Sequence, residues 1–375
     1  MDKVKSTISF IAVFVFSVSH FFGIANAQHR SPSIEFNPQN YVSVKITDSL
    51  KIDGRLEEHS WKKVNWTDSF LDIEGETAEQ PRYDTKVKML WDDQYFYIAA
   101  NIEEPNLWAT LDERDAIIFH ENNFEVFIDP DGDTHNYYEF EVNALGTYWD
   151  LMLTKPYRDG GKAIDAWDIR DIKVGIDLKG TLNHPSDRDS GWTVELAIPW
   201  KALEEAAPEG RKPKSGEFWR VNFSRVEWKI APQNGEYVKQ SDTEDNWTWS
   251  PQGLINMHYP EMWGYVLFAE GKDNSQLQID DALGLKIKEQ IKWYLRQLYY
   301  QQQEYWDKNG SYTSDFSELN QRELQNDMSS QVDFEQWSEP EIHATDHTFE
   351  ISIERLKTKN KWYIRENGRV WQEEN

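Results

Sequence analysis

The chain has no cysteine. That excludes disulfides, thiolate metal sites and cysteine nucleophiles, so the fold must hold through its core or through metal bound by other ligands. Positive charge is scarce as well. Forty Lys and Arg against 66 Asp and Glu leave a net charge of −26. Such a chain is repelled by nucleic acid and by anionic lipid, whereas a neutral polymer or a divalent cation is compatible with it. Long apolar runs are missing beyond the N-terminus. The one run, Ile8 to Phe22, is short for a bilayer and is broken by Ser17, Ser19 and His20. Catalytic signatures are missing too: there is no Gly-x-Ser-x-Gly elbow, no His-Glu-x-x-His and no phosphate-binding glycine loop. His120, His135, His184 and His258 have no zinc-type spacing.

What is present begins with an address. Lys3 and Lys5 precede the apolar run and Ala25-Asn26-Ala27 closes it, the pattern of a signal peptide over residues 1–27. Gln28, not Cys, follows, so no lipid anchor is suggested. The expectation is an exported protein, periplasmic or extracellular, without stable membrane insertion after cleavage. Aromatic residues are in excess: 18 Trp, 17 Tyr and 18 Phe make 14% of the chain. Some must be core, but exposed tryptophans suit planar ligands and sugar rings.

Glu121 to Asp133 and Tyr137 to Asn143 read as two alternating strands around an Asp-Pro-Asp-Gly-Asp turn, a β-hairpin with one apolar face. Its other face carries Glu125, Glu139, Glu141 and Asn143, a row of acceptors able to grip hydroxyls. Further strands are predicted at 85–91, 95–102, 147–154, 172–178, 192–198, 219–228 and 263–268, with a short helix from Pro199. This predicts an antiparallel β-sandwich over 41–269. A polar linker follows at 270–280. Leu283, Ile287, Ile291, Leu295, Leu298, Gln302 and Trp306 then recur at helical spacing, ending near Asn309-Gly310. A second short helix from Ser314, and alternating segments at 332–337, 348–356, 361–365 and 369–371, complete a small α+β module over 281–375.

Ile52-Asp-Gly-Arg-Leu-Glu-Glu-His-Ser-Trp61, Met89 to Ile98, Asn123 to Asp129, Asn143, Trp192 to Trp200, Arg220 to Arg225, Trp249-Ser-Pro-Gln-Gly and Trp263-Gly-Tyr-Val follow one another in a recognisable order. In that order they resemble the family 9 carbohydrate-binding modules, in the branch found in exported proteins of polysaccharide-degrading bacteria. It implies a β-sandwich that binds sugars and often holds structural calcium. By position it places two clamp aromatics at Trp249 and near Phe119, hydrogen-bonding groups at Glu125 and Asn143, and Glu141 where the family has Arg. Leu298 to Leu319 is similar, over a short stretch, to pilin-like domains, which implies no activity.

The same residues admit plainer readings. Trp249 sits two residues from Trp247 and can be core, although Pro251 suggests a loop. Phe119 can be part of a buried run. Glu125 opposite Glu141 destabilises a sheet unless a cation or a neighbour such as Arg225 compensates. Asp129, Asp131 and Asp133 can hold Ca2+ or form only an acidic turn; they do not follow the EF-hand pattern. Lys155, Tyr157, Arg158 and Trp167 can line a cleft with a cation and aromatic faces, or belong to a loop fixed by Gly160 and Gly161. The function expected is capture of plant-type polysaccharide or oligosaccharide, xylan- or cellulose-like, in polysaccharide catabolism. The alternatives are a glycoside hydrolase with an unidentified carboxylate pair and an inert structural adaptor.

Overall fold

The computed structural model describes residues 29–270, 283–319, 328 and 332–373. The segment read as a signal peptide and almost all of the predicted linker lie outside the described residues. No helix among the described residues is long and apolar enough to cross a membrane.

Most of the chain forms a mainly β unit built from one thirteen-stranded sheet that curls over itself into a sandwich-like half-barrel. One half runs in the order Ala163–Ile164, Tyr148–Leu153, Tyr137–Asn143, Asn123–Asp129, Phe218–Glu227 and Gly264–Ala269. The other runs Thr85–Trp91, Tyr95–Ile102, Trp192–Pro199 and Lys173–Leu178. Asn40–Lys45 joins the halves, pairing parallel with Gly264–Ala269 and with Thr85–Trp91. Asp245–Thr248 pairs with Phe218–Glu227, and Leu71–Asp72 pairs with it in turn.

Alternation explains the curl. Phe124, Val126, Ile128, Tyr138, Phe140 and Val142 point from the first half into a core shared with Val87, Met89, Ile98, Val194 and Leu196 of the second. Tryptophans fill its middle: Trp200 lies 6.3 Å from Trp91 and 5.4 Å from Trp219, both edge-on. Twelve of the eighteen tryptophans are buried, so most of the aromatic excess is packing and not platform.

The helix Leu283–Asn309 covers a four-stranded sheet of Glu341–Ala344, Phe349–Glu354, Lys361–Arg365 and Val370–Glu373. Ile291, Leu295 and Leu298 bury against Ile351, Ile353 and Ile364, and against Tyr259 and Met262 of the first unit. The helix ends as its sequence predicts: Gly310 is left-handed (φ +73°) and its N–H donates to Trp306 O. Trp306 itself is exposed, and Gln302 spends its amide on Thr313.

Two predicted elements differ. Residues 332–337 form a 3-10 turn instead of a strand, because Asp333 accepts the Glu335 N–H and bends the chain. Asp315, not Ser314, caps the short turn Phe316–Glu318.

Candidate functional site

The hairpin holds the site. Antiparallel pairing places Glu125 opposite Glu141, Glu141 opposite Trp149, and Glu125 opposite Ser224 on its other side. One row of side chains therefore crosses four strands on the face away from the core: Ser224, Glu125, Glu141, Trp149. Glu139 lies two residues from Glu141 on the same face.

All three glutamates are buried, at 4%, 6% and 1% exposure for Glu125, Glu139 and Glu141. Two carboxylates ~5 Å apart at an effective dielectric of about 20 repel by about 3 kcal/mol, which a sheet does not tolerate without compensation. The compensation is protonation. Burial pushes Glu125 up to about 7, against the pull of the Asn123 amide. Burial and the Glu125 charge push Glu139 up to about 8. Burial, Glu125 and Glu139 hold Glu141 well above the usual carboxylate range. Glu141 is hydrogen-bonded to Glu139 and accepts the Phe119 N–H at 2.9 Å. A neutral carboxyl both donates and accepts, which suits it to sugar hydroxyls.

Aromatic rings flank this floor. Phe119 is 38% exposed, and its ring lies 6.3 Å from the half-buried Trp149. The turn that carries Phe119 is fixed by Glu141 below and by the Trp228 indole N–H, which donates to Phe119 O at 3.0 Å. Tyr157 is 42% exposed and stands edge-on to His258; burial of its hydroxyl and the charges of Glu139, Asp165 and Glu141 raise its pKa.

Several predicted residues lie elsewhere. Trp249 is 2% exposed, tilted against Phe223 in the core, so it offers no face to a ligand. The strand does end before it, at Thr248, but the indole still turns inward. Asn143 is fully buried and spent on its own turn, accepting from Leu145 and Thr147 N–H and donating to Leu111 O. Arg225 points to the opposite face, because strand alternation separates it from Ser224. It pairs there with Glu104 at 2.9 Å and Glu227 at 2.8 Å, and compensates neither Glu125 nor Glu141. Arg158 is buried in an ion pair with Glu261 at 2.8 Å, above the Tyr259 ring. Trp167 stacks on Tyr138, a core-side residue, and donates to Glu205. Lys155 is half-buried, and its carbonyl packs where a Cβ on Gly161 would sit. Of that loop only Tyr157 lies in the field of the acidic floor. Trp149 and Ser224 escaped the sequence reading, although counting register outward from Glu141 and Glu125 reaches both.

The turn at the hairpin's end brings Asp129, Asp131 and Asp133 together, with ligand atoms within 4.8 Å of one another. Asp129 is buried, and burial plus the neighbouring Asp131 and Asp133 charges hold its carboxyl well above the usual range. It accepts from Gly132 and Thr134 N–H, while Asp133 pairs with Arg369 at 2.8 Å. Three hard oxygen donors, with Arg369 on Asp133 and Lys292 near Asp129 and Asp131, fit a calcium ion in donor chemistry.

Residues 52–264 match the model of the carbohydrate family 9 binding domain-like family. The chain belongs to that family. The chain is 26% identical over 168 residues to Exoglucanase XynX of Acetivibrio thermocellus, covering 43% of this chain and 12% of that protein. It is 25% identical over 184 residues to Endo-1,4-beta-xylanase A of Thermoanaerobacterium saccharolyticum, covering 48% of this chain and 14% of that one. The match thus spans about an eighth of the relatives' length. A family 9 carbohydrate binding module from Caldicellulosiruptor kristjanssonii, solved with cellotriose, is similar at 18% identity and a TM-score of 0.41, over 64% of this chain and 98% of that one.

Proposed function

We propose that the protein is a non-catalytic carbohydrate-binding protein that takes plant-type oligosaccharide or polysaccharide, xylan- or cellulose-like, on the acidic face of its hairpin. The observation that carries this reading is the Phe119 and Trp149 ring pair standing beside Glu141. Ring faces bury the C–H surface of a sugar, while neutral carboxyls beside them meet its hydroxyls as donors and acceptors. The family membership supports the class of ligand, and the names of the exoglucanase and the xylanase support the polymer type.

Isothermal titration with cello- and xylo-oligosaccharides, run beside product analysis, tests this. The expected result is binding without cleavage, weakened about tenfold in Trp149→Ala. Turnover that disappears on replacing one of the three glutamates would favour a glycoside hydrolase instead. Silence toward every glycan would sink the reading.

Calcium at Asp129, Asp131 and Asp133 belongs to the same proposal, as a structural ion that would relieve the crowding of Asp129. Added Ca2+ is expected to raise the melting temperature and chelator to lower it, with no response in Asp131→Asn. Export through a removed leader is proposed with it; the N-terminus of the secreted protein would then read from Gln28.

A further inference from the structure

Buried carboxyl groups elsewhere in this molecule are met by cations or by several N–H donors. Glu104 and Glu227 share Arg225, Glu261 is held by Arg158 and Arg296, and Glu289 by Arg220 and Lys292. Glu195 takes the Trp61 indole and two backbone N–H groups, and Glu121 takes Thr110 and Leu111 N–H. The acidic floor departs from this pattern. Glu125 has only neutral partners, the Asn123 amide and the Ser224 hydroxyl, Glu141 receives one backbone N–H, and Glu139 has its neighbour Glu141. The charged groups acting on the three are Glu244, Asp165 and each other, all acidic.

A second observation points the same way. Ser224 stands directly opposite Glu125 on the same face and is fully buried; its hydroxyl reaches only Glu125, whose pKa it helps to hold down, without a well-aligned hydrogen bond. Buried polar atoms are rarely left without one. Geometry argues against a bare metal ion as the partner of this row. Among the described residues only Asp129, Asp131 and Asp133 form a set of three such side chains with ligand atoms converging within 4.8 Å. The three glutamates lie on two strands, Glu141 bonded to Glu139 and Glu125 opposite, with ring faces beside them. Carboxyls that do not converge on one point, under aromatic rings, match an organic ammonium, whose N–H donors diverge and whose charge is drawn to ring faces.

Resting on the reading of this face as a sugar site, we infer that its preferred ligand carries a protonated amine, a glucosamine-type sugar rather than a neutral one. The ammonium stays protonated and donates to Glu125 and Glu141, and the ring of the sugar lies against Phe119 and Trp149. A carboxylic acid that meets the ammonium gives up its proton to the buffer and becomes the carboxylate of the ion pair, so charge and atoms balance. Binding of an amine is then coupled to proton release, and binding of a neutral sugar is not.

The test compares glucosamine trimer, its N-acetylated form and cellotriose on the whole protein by isothermal titration near neutral pH. Each is run in two buffers of different ionisation heat. Glucosamine trimer is expected to bind about tenfold more tightly than the other two, with net proton release seen as a buffer-dependent heat. Glu125→Gln/Glu141→Gln is expected to erase both the preference and the release. The buffer comparison on the unaltered protein decides the matter even if that variant fails to fold. Equal affinity for cellotriose and the amine, without proton release, would overturn this inference and leave the sugar site standing. Silence toward all three would overturn the sugar site with it. Amine binding at several sites per chain, undone by salt, would mean bulk attraction to the net charge and would also overturn it.

Discussion

Two tryptophans have opposite roles. Trp249 fills the core, and a Cβ on Gly264 would come within 2.5 Å of its ring. Replacing Trp249 with Ala is expected to cost about 3–5 kcal/mol of stability, measured by denaturant unfolding. Trp149→Ala, on a half-buried ring outside the main core, is expected to cost about 1 kcal/mol or less and to act on sugar affinity. The sequence resemblance pointed to the first because position along a motif does not reveal which way a side chain turns. The second was legible only through register, once Glu141 and the Leu145-Gly146 turn had fixed where the next strand begins.

At the level of the element, the hairpin stores electrostatic work whose sign is fixed by protonation. Glu125 and Glu139 keep their protons to about 7 and about 8 in the folded protein, while in the unfolded chain they titrate at the ordinary 4.5. The folded state therefore binds more protons across that window, and its advantage is full below the unfolded value and lost as pH rises through the folded ones. Glu125→Gln is expected to match the parent protein near pH 4.5 and to exceed it near pH 8, by on the order of 3 kcal/mol. Thermal melts across that range would show the two curves diverging; parallel curves would mean that Glu125 is ionised in the fold. Strands were the most readable elements, since period-two alternation marks Thr85–Trp91 and Tyr95–Ile102 with their observed ends, and the hairpin with a first strand that begins two residues later than read, at Asn123. Glu341–Ala344 was not read as a strand. It is short and charged at an edge, and Asp333 and Asp315 won their local turns through side-chain hydrogen bonds that a hydropathy pattern does not display.

Across the whole molecule, the two units meet through buried charge. Arg158 bridges Glu261 and the His258 carbonyl, Arg296 and Tyr300 approach Glu261 from the helix, and Arg220 pairs with Glu289. Burial alone would raise Glu261, but Arg158 and Arg296 outweigh it and hold the group at about 2. This contribution is present above the ordinary 4.5 and lost as pH falls toward 2, the reverse of the hairpin's behaviour. Glu261→Gln is expected to cost about 3–5 kcal/mol, because Arg158 keeps its charge without its partner. A chain ended after residue 270 is expected to unfold at a markedly lower temperature, since Arg220 loses Glu289 and Tyr259 and Met262 lose their cover. Nothing in the sequence announced this joint, because its ion pairs link residues far apart in the chain.

The joint also sets where force travels. Lys292 holds the Gly132 carbonyl, Arg369 holds Asp133, and Thr134 donates to the Gly368 carbonyl, so the tip of the hairpin is clasped by the C-terminal unit. Glu125, Glu139 and Glu141 lie along the same two strands, a few residues from that grip. The hairpin behaves as a cantilever anchored at its acidic turn, and a load on the C-terminal unit would be felt first along the row of glutamates.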